Sequence, residues 1–454
     1  MLKTFLDWSA YKDAGMGDAY ADIPKNGGDY AKAVAVCINS RQCEEHDKQV
    51  MCPSFRVTGN KNLSTGGRVQ LLKHALNNLD ENNAQFLEID LQNALELCVS
   101  CKGCKRECEN NVDMALIKSE FLAQRNQLKK MSFRSKVFAK IPDLMSSSRW
   151  LNSAVRLRNS SKFIALWAEK LVGISHKINL PEPVSSSDSP LEILLSSYSI
   201  KTVEPVVTEV CLFVDTFCKN FEPNIVLDAV TVLSQAGYKV SLVNAAKHEN
   251  LCCGRTYLAQ GMINEAQTKA LALVDTLYEK VNAGISVIGL EASCVLGLRD
   301  DALALFSDAD IKQKIKTVAE KTFLLEEFIF REIKAKRFRL QGNNLAGDYF
   351  VHGHCHQKAT GAMKSVRRVL KLLDQQTFTN IDSSCCGMAG TFGLESEHQE
   401  LSEKMARQSL IPALDTNPEQ WVVANGFSCR QQIKNYSRNK PVHLAEVLRR
   451  HFCS

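Results

Sequence analysis

The sequence predicts a multidomain α+β protein, an α-helical, thiol-rich part followed by a tandem-duplicated α/β part with parallel sheets. Three observations carry this. Cysteines crowd residues 37–108, strands and helices alternate after about residue 200, and the alternation recurs after about residue 340 with the same Cys-Cys-Gly triplet. Of the 454 residues 45% are hydrophobic and 23% charged, enough for several buried cores. Residues 1–20 hold no apolar run and no small-residue cleavage site, so a cytoplasmic chain is expected, with its seventeen cysteines serving as metal ligands rather than disulfides. No apolar run approaches the roughly 18 residues of a membrane span.

The thiol-rich part is expected over residues 1–123. Cys98, Cys101, Cys104 and Cys108 form a C-x2-C-x2-C-x3-C run, the spacing by which ferredoxins hold a cubane iron-sulfur cluster. Three thiolates on short steps reach three corners of one cube, while the fourth crosses to a neighbouring cluster. A second half-site is therefore expected, and Cys37, Cys43 and Cys52-Pro53 supply it. Ser40 stands where the half-site's middle cysteine would be. On crossed connectivity, Cys52, Cys98, Cys101 and Cys104 hold a complete 4Fe-4S cluster, leaving Cys37, Cys43 and Cys108 for the other. That one is 3Fe-4S, or 4Fe-4S with a borrowed ligand such as Ser40 or His46. Four thiolates also suit zinc, but zinc sites pair two C-x2-C arms across a longer loop.

Residues 124–200 read as a basic helical connector. Between Arg125 and Lys177 stand twelve Lys or Arg against Asp143 and Glu169, with Phe133, Phe138, Trp150, Leu151, Phe163, Leu166 and Trp167 interleaved. This composition suits either a helix pair packed on the protein or one lying in a membrane interface, rings at headgroup depth and cations on anionic lipid. No nucleic-acid module accompanies the charge. Pro181 to Ser189 reads as a linker.

From residue 201 strands are expected at Val206–Asp215, Lys239–Val243 and Ile285–Leu290, with helices at Ile225–Ala236 and Asn264–Val281. The second unit, 341–454, repeats the plan with strands at Tyr349–His352 and Trp421–Ala424 and helices around Lys364–Leu373 and Glu395–Leu410. Strands alternating with helices imply crossover units and parallel sheets. The first unit, 201–340, carries Cys252-Cys253-Gly254 and then Cys294; the second carries Cys385-Cys386-Gly387 and then Cys429. Parallel-strand ends are where such folds place sites. With Cys355 the second unit has four thiolates. The first has Asp215-Thr216 where a cysteine is expected, and Cys211 and Cys218 nearby. His352, His354 and His356 are candidates for proton relay, ligation or plain hydrogen bonding. Glu291 is a candidate ligand or helix cap, Arg255 and Arg430 candidate stabilisers of thiolate charge, and Cys453 an incidental thiol.

These residues carry a resemblance. The paired Cys-Cys-Gly repeats resemble the CCG domain shared by heterodisulfide reductase, the iron-sulfur subunit of glycolate oxidase and anaerobic glycerol-3-phosphate dehydrogenase. The Cys98 run with Val112-Asp113-Met114 is similar to the ferredoxin part of the same proteins. Met51-Cys52-Pro53-Ser54-Phe55, Gly67-Arg68, Leu212 to Phe217 and Ala424-Asn425-Gly426 resemble the iron-sulfur half of FAD-linked D-lactate or D-2-hydroxyglutarate dehydrogenases. Two departures stand out. Glu109 replaces a proline that is not a ligand, and Glu291 and Gly426 stand where heterodisulfide reductase has a further cysteine, which argues against its non-cubane clusters.

The resemblance implies an electron-transfer subunit of a flavin-dependent 2-hydroxy-acid dehydrogenase. No Gly-x-Gly-x-x-Gly loop follows a strand, so FAD is expected only on a partner flavoprotein, with quinone or another acceptor downstream. Peripheral contact with the cytoplasmic face of the inner membrane goes with the basic connector. A disulfide-cleaving catalytic subunit and a redox-sensing scaffold are the alternatives.

Overall fold

The computed structural model describes residues 2–18, 20–45, 50–147, 150–184, 191, 206, 208–246, 249–338, 347–373 and 376–452. His46, the Ser185 to Ser189 linker and Cys453 lie outside the described residues. The N-terminal part is helical, with helices at Gly28–Ala35, Pro53–Thr58, Thr65–Asn77, Ile89–Glu96, Gly103–Glu107 and Met114–Leu128. Two of these start on side-chain caps, Ser64 Oγ accepting from Gly67 N and Asp113 from Leu116 N, which supply partners to amides the helix cannot pair itself. Tyr30, Val34, Val69, Leu72, Leu76, Phe86, Leu91, Leu95, Ile117 and Phe121 are all fully buried and form its core. Glu120 is fully buried too, yet satisfied: Phe5 N, Leu6 N, Trp8 Nε1 and Gln124 Nε2 all donate to it, tying the N-terminal segment to the last helix.

Among the described residues eight strands form two four-stranded parallel sheets. The first comprises β1 (Thr208–Phe213), β2 (Tyr238–Val243), β3 (Ser286–Gly289) and β4 (Thr322–Leu324) in the order β2-β1-β3-β4. The second comprises β5 (Gly347–Val351), β6 (Gln376–Asn380), β7 (Trp421–Val423) and β8 (Pro441–Val442) in the equivalent order β6-β5-β7-β8. Five strands fall where the apolar runs place them. The other three, β4, β6 and β8, are short or polar (Thr-Phe-Leu, Gln-Thr-Phe-Thr-Asn, Pro-Val), so composition did not mark them; their pairing comes from the neighbouring strand. The sheets share one core, in which Leu212, Val226, Leu233 and Ile288 of one half meet Val351, Val366, Val423 and Leu444 of the other.

The connector divides. Its first two helices, Phe133–Ala139 and Ile141–Ser147, are packed: Phe138 and Ala139 are buried, Arg134 pairs with Glu395 and Glu397, and Asp143 accepts from Asn250, Tyr257 and Lys269. The next two, Trp150–Ser160 and Lys162–Val172, are held by Arg158, whose guanidinium donates to the carbonyls of Ser175 and Ile178, but they leave Trp150, Leu157, Phe163, Leu166, Trp167 and Leu171 exposed. No helix among the described residues is long and apolar enough to cross a membrane.

Candidate metal centres

The thiols of the helical part fall into two sets. Burial, then the neighbouring Cys101, Cys52 and Cys98, hold the Cys104 thiol well above its ordinary value; Cys37 is raised by burial with Cys108 and Cys43 as its thiol neighbours. The neighbours of Cys104 are those of the expected Cys52-Cys98-Cys101-Cys104 set and the neighbours of Cys37 those of the Cys37-Cys43-Cys108 set, while Cys52 has Cys43 as well as Cys98 near it. Residues around the first set adopt left-handed backbone, Cys52 at φ 54°, Ser100 at 48° and Lys102 at 60°, a conformation that curls short loops around a central object. Gly103 lets these loops close: a β-carbon there would stand 2.7 Å from Met51 Cα. Burial pushes Cys52 up to about 11, and desolvated thiols of this kind gain most by giving their protons up to metal coordination. Among the described residues no fourth thiol joins the smaller set, and Ser40 is exposed.

Each sheet presents a further thiol group at its C-terminal edge. In the second half Cys355 opens the helix after β5, Cys385 and Cys386 follow β6, and Cys429 is the third residue of the helix after β7. Their sulfurs form a continuous series, Cys355 linked to Cys385, Cys385 to Cys386 and Cys386 to Cys429. In the first half Cys253 is bonded by both Cys252 and Cys294, and their donation pulls it well below its ordinary value. Thr216 holds the position that Cys355 holds, first residue of the helix, and its hydroxyl bonds Cys252. Cys211 is fully buried within β1, and Cys218 is bonded to Asp215 rather than to the group. The first centre has three thiols and the second four.

The two Cys-Cys-Gly turns are built alike. Gly254 (φ 78°) and Gly387 (φ 91°) are left-handed; a β-carbon would stand 2.6 Å from the Ala266 carbonyl oxygen in one and 2.3 Å from that of Ser402 in the other. In each, the glycine amide donates to the first sulfur at 3.4 Å, Gly254 N to Cys252 and Gly387 N to Cys385. Such amides favour thiolate over thiol.

Cations stand beside each centre. Lys358 is half-buried; desolvation lowers its pKa while the second group's thiols, Cys429 first, raise it, and its ammonium donates to the Ser383 and Ser384 carbonyls. Sequence reasoning missed Lys358, which sits three residues past Cys355 on the same helix face. Arg255 pairs with Asp301 and lies against Cys253. Arg430, by contrast, is directed away: its guanidinium donates to Glu222 and to the Ala424 carbonyl. Glu291 caps the helix of Cys294 and accepts from Phe427 N of the other half at 2.8 Å; burial pushes it up to about 7. His352, His354 and His356 are all buried, and that burial lowers the pKa of each imidazole.

The helical part and the second centre meet directly. Cys101 packs with Cys355 and Cys385 in one cluster; Ser384 Oγ and Cys101 Sγ both donate to the Val50 carbonyl, and His356 Nε2 lies 3.0 Å from the Ser100 carbonyl oxygen. The first half is joined by ions, Lys102 to Asp301 (2.5 Å) and Asp300 (2.6 Å), and Lys105 to Asp300 (2.5 Å). A cavity of about 660 Å³ opens between the connector, the helical part and both sheets, lined among others by Phe138, Met145, Cys98, Cys253, Cys294 and Cys355.

Residues 33–112 match the family model of the 4Fe-4S dicluster domain, and residues 349–434 that of the cysteine-rich domain. The chain carries an iron-sulfur cluster domain and a cysteine-rich domain. It is 21% identical over 475 residues to D-2-hydroxyglutarate dehydrogenase of Haemophilus influenzae, an alignment covering 95% of this chain and 45% of that protein. It is 26% identical over 228 residues to one of the subunits of anaerobic glycerol-3-phosphate dehydrogenase of Escherichia coli (50% of this chain, 54% of that one) and 25% over 247 residues to lactate utilization protein A of an Exiguobacterium (53% and 96%). The chain thus spans less than half the length of the D-2-hydroxyglutarate dehydrogenase it matches. Its iron-sulfur domains are related to those of electron-transfer subunits of dehydrogenases.

Proposed function

We propose that this chain is the electron-transfer subunit of a flavin-dependent 2-hydroxy-acid dehydrogenase, taking electrons from a partner flavoprotein and delivering them towards quinone. The observation that carries this reading is the packing of Cys101, Cys355 and Cys385 into one buried cluster, in which Cys101 Sγ and Ser384 Oγ share the Val50 carbonyl, so that one thiol group neighbours the next. Bound clusters supply one-electron steps, whereas hydride removal from a hydroxy acid needs a two-electron cofactor. The residues of the chain then do the rest. Cys52, Cys98, Cys101 and Cys104 hold one cluster, Cys37, Cys43 and Cys108 the second, and Cys355, Cys385, Cys386 and Cys429 a further metal centre. Cys252, Cys253 and Cys294 form the weaker, three-thiolate member, and the two sheet units descend from one duplicated CCG domain. Lys358 and Arg255 offset thiolate charge, and the buried loops keep water from the centres. The exposed Trp150, Phe163, Leu166, Trp167 and Leu171, beside basic residues such as Lys162 and Lys170, support peripheral seating on an anionic membrane where quinone resides.

The test is reconstitution. The chain alone should leave D-lactate, glycolate and D-2-hydroxyglutarate unoxidised; with its flavoprotein partner, one of them should bleach the visible iron-sulfur absorption and a quinone analogue restore it. Bleaching by substrate without the partner would overturn the proposal, and reduction of a disulfide by the chain with reduced viologen would favour a catalytic reductase instead.

A further inference from the structure

The second cysteine-rich centre contains a donor that its cysteine motif does not account for. His352 follows directly on β5 and is 2% exposed. Its Nδ1 is 3.0 Å from Ser383 Oγ, and its Nε2 has no hydrogen-bond partner among the described residues. A ring nitrogen of His352 and the sulfurs of Cys386 and Cys429 all lie within 4.8 Å of one another. Donors bound to one ion at about 2.0 Å for nitrogen and about 2.3 Å for sulfur stand roughly 3 to 4 Å apart, so the three need only a small inward adjustment to share a metal. Buried polar atoms are nearly always paired, and with Nδ1 at Ser383 the Nε2 atom is the ring nitrogen left without a partner.

The surroundings prepare the ring for this role. Ser383 Oγ, which receives Lys358 Nζ at 3.1 Å, has two lone pairs and so can also accept Nδ1–H. With Nδ1–H donating there, the Nε2 lone pair is free, the arrangement in which a hydrogen bond behind a histidine orients it on a metal. The equivalent residue of the first half, directly after β1, is Val214, which has no donor to offer. The two centres therefore differ by more than one thiol.

We propose that His352 is a metal ligand of the second cysteine-rich centre, its Nε2 binding the same ion as Cys386 and Cys429, with iron as that ion. A neutral imidazole at that ion, where a further thiolate could have stood, leaves the centre less negative and its reduction potential higher than a thiolate would, which suits a late acceptor in an electron path. The inference rests on that centre holding metal, and the experiment separates the two. The full chain is purified anaerobically, and the metal that Cys386→Ala releases is identified by elemental analysis. Loss of iron is expected; loss of no metal would overturn the inference along with the metal reading of this centre, leaving the helical clusters untouched. Pulsed EPR of the unmodified chain, with and without 15N-histidine, should then show a nitrogen hyperfine coupling that changes isotope with the label, is absent in His352→Ala and is retained in His354→Ala. A midpoint potential lower in His352→Cys than in the unmodified chain is the independent sign. If Cys386→Ala releases zinc, X-ray absorption at the zinc edge must show one nitrogen scatterer near 2.0 Å, which would keep His352 as ligand and overturn the choice of iron. A released metal whose spectra carry no histidine nitrogen would overturn the ligand assignment alone.

Discussion

Arg430 shows how a residue beside a metal motif acquires a different task. It is 2% exposed, and its charge is met by Glu222, whose carboxylate burial alone would raise but which the Arg430 charge and hydrogen bonds hold below its ordinary value. Glu222→Gln leaves a buried guanidinium without its counter-ion, a change that costs about 3–5 kcal/mol, and anaerobic denaturant melts should register a loss of that size. The pH dependence follows from the same pair. A carboxylate with a depressed folded pKa adds stability above its unfolded value of about 4.3, and this contribution falls away as pH drops through the folded pKa. The unmodified chain should therefore lose stability below about pH 4.3 more steeply than Glu222→Gln does. Glycine matters as sharply where the backbone is left-handed. Gly387→Ala would place a β-carbon against the Ser402 carbonyl and should cost more than about 2 kcal/mol, with loss of metal from the second centre; Gly390→Ala, also at positive φ but in open space, should cost less.

At the scale of elements, each thiol group is assembled from more than one segment of chain. In the helical part Cys104→Ser should remove the complete four-iron cluster while leaving the other. Ser40→Cys should raise the iron content if the Cys37 set holds three irons. The minimum for the intact chain is about seven irons, one four-iron and one three-iron cluster. In the sheets Cys386→Ala should release metal, whereas Cys253→Ala should release less, because the first centre has Thr216 where the second has Cys355. Equal loss from both would show that the first centre finds a fourth donor. Cys211 is a poor candidate for that donor, being locked inside β1 with burial pushing its thiol up to about 11.

For the whole molecule, the ferredoxin-like part is held to both halves of the α/β part, by shared thiol packing on one side and by ions on the other. Asp301 is 5% exposed on its side chain and receives Lys102 and Arg255, so Asp301→Ala should loosen the docking and speed the loss of iron in air without altering the amount bound anaerobically. The aromatic helices face outward. If they seat the chain on lipid, it should sediment with anionic vesicles, be released by salt, and sediment less as Trp167→Ala; binding indifferent to lipid charge and salt would assign that face to a protein partner.

Chain-local chemistry was legible from residues alone. The C-x2-C-x2-C-x3-C run and the two Cys-Cys-Gly triplets dictate which thiols can share a cluster, because a few residues of chain cannot carry neighbouring cysteines far apart; alternating apolar runs likewise marked β1, β2, β3, β5 and β7. Distances between segments were not legible. That Cys101 shares a cluster with Cys355, that Lys358 turns towards the thiols while Arg430 turns away, and that a ring nitrogen of His352 rather than of His354 or His356 lies beside Cys386 and Cys429 all depend on the packing of separate loops. The short strands β4, β6 and β8 belong to the same class, since their pairing energy resides in a neighbour's edge. Sequence decided which ligands were available; tertiary structure decided which of them face one another, because burial and long-range contact are properties of the folded chain and of no segment within it.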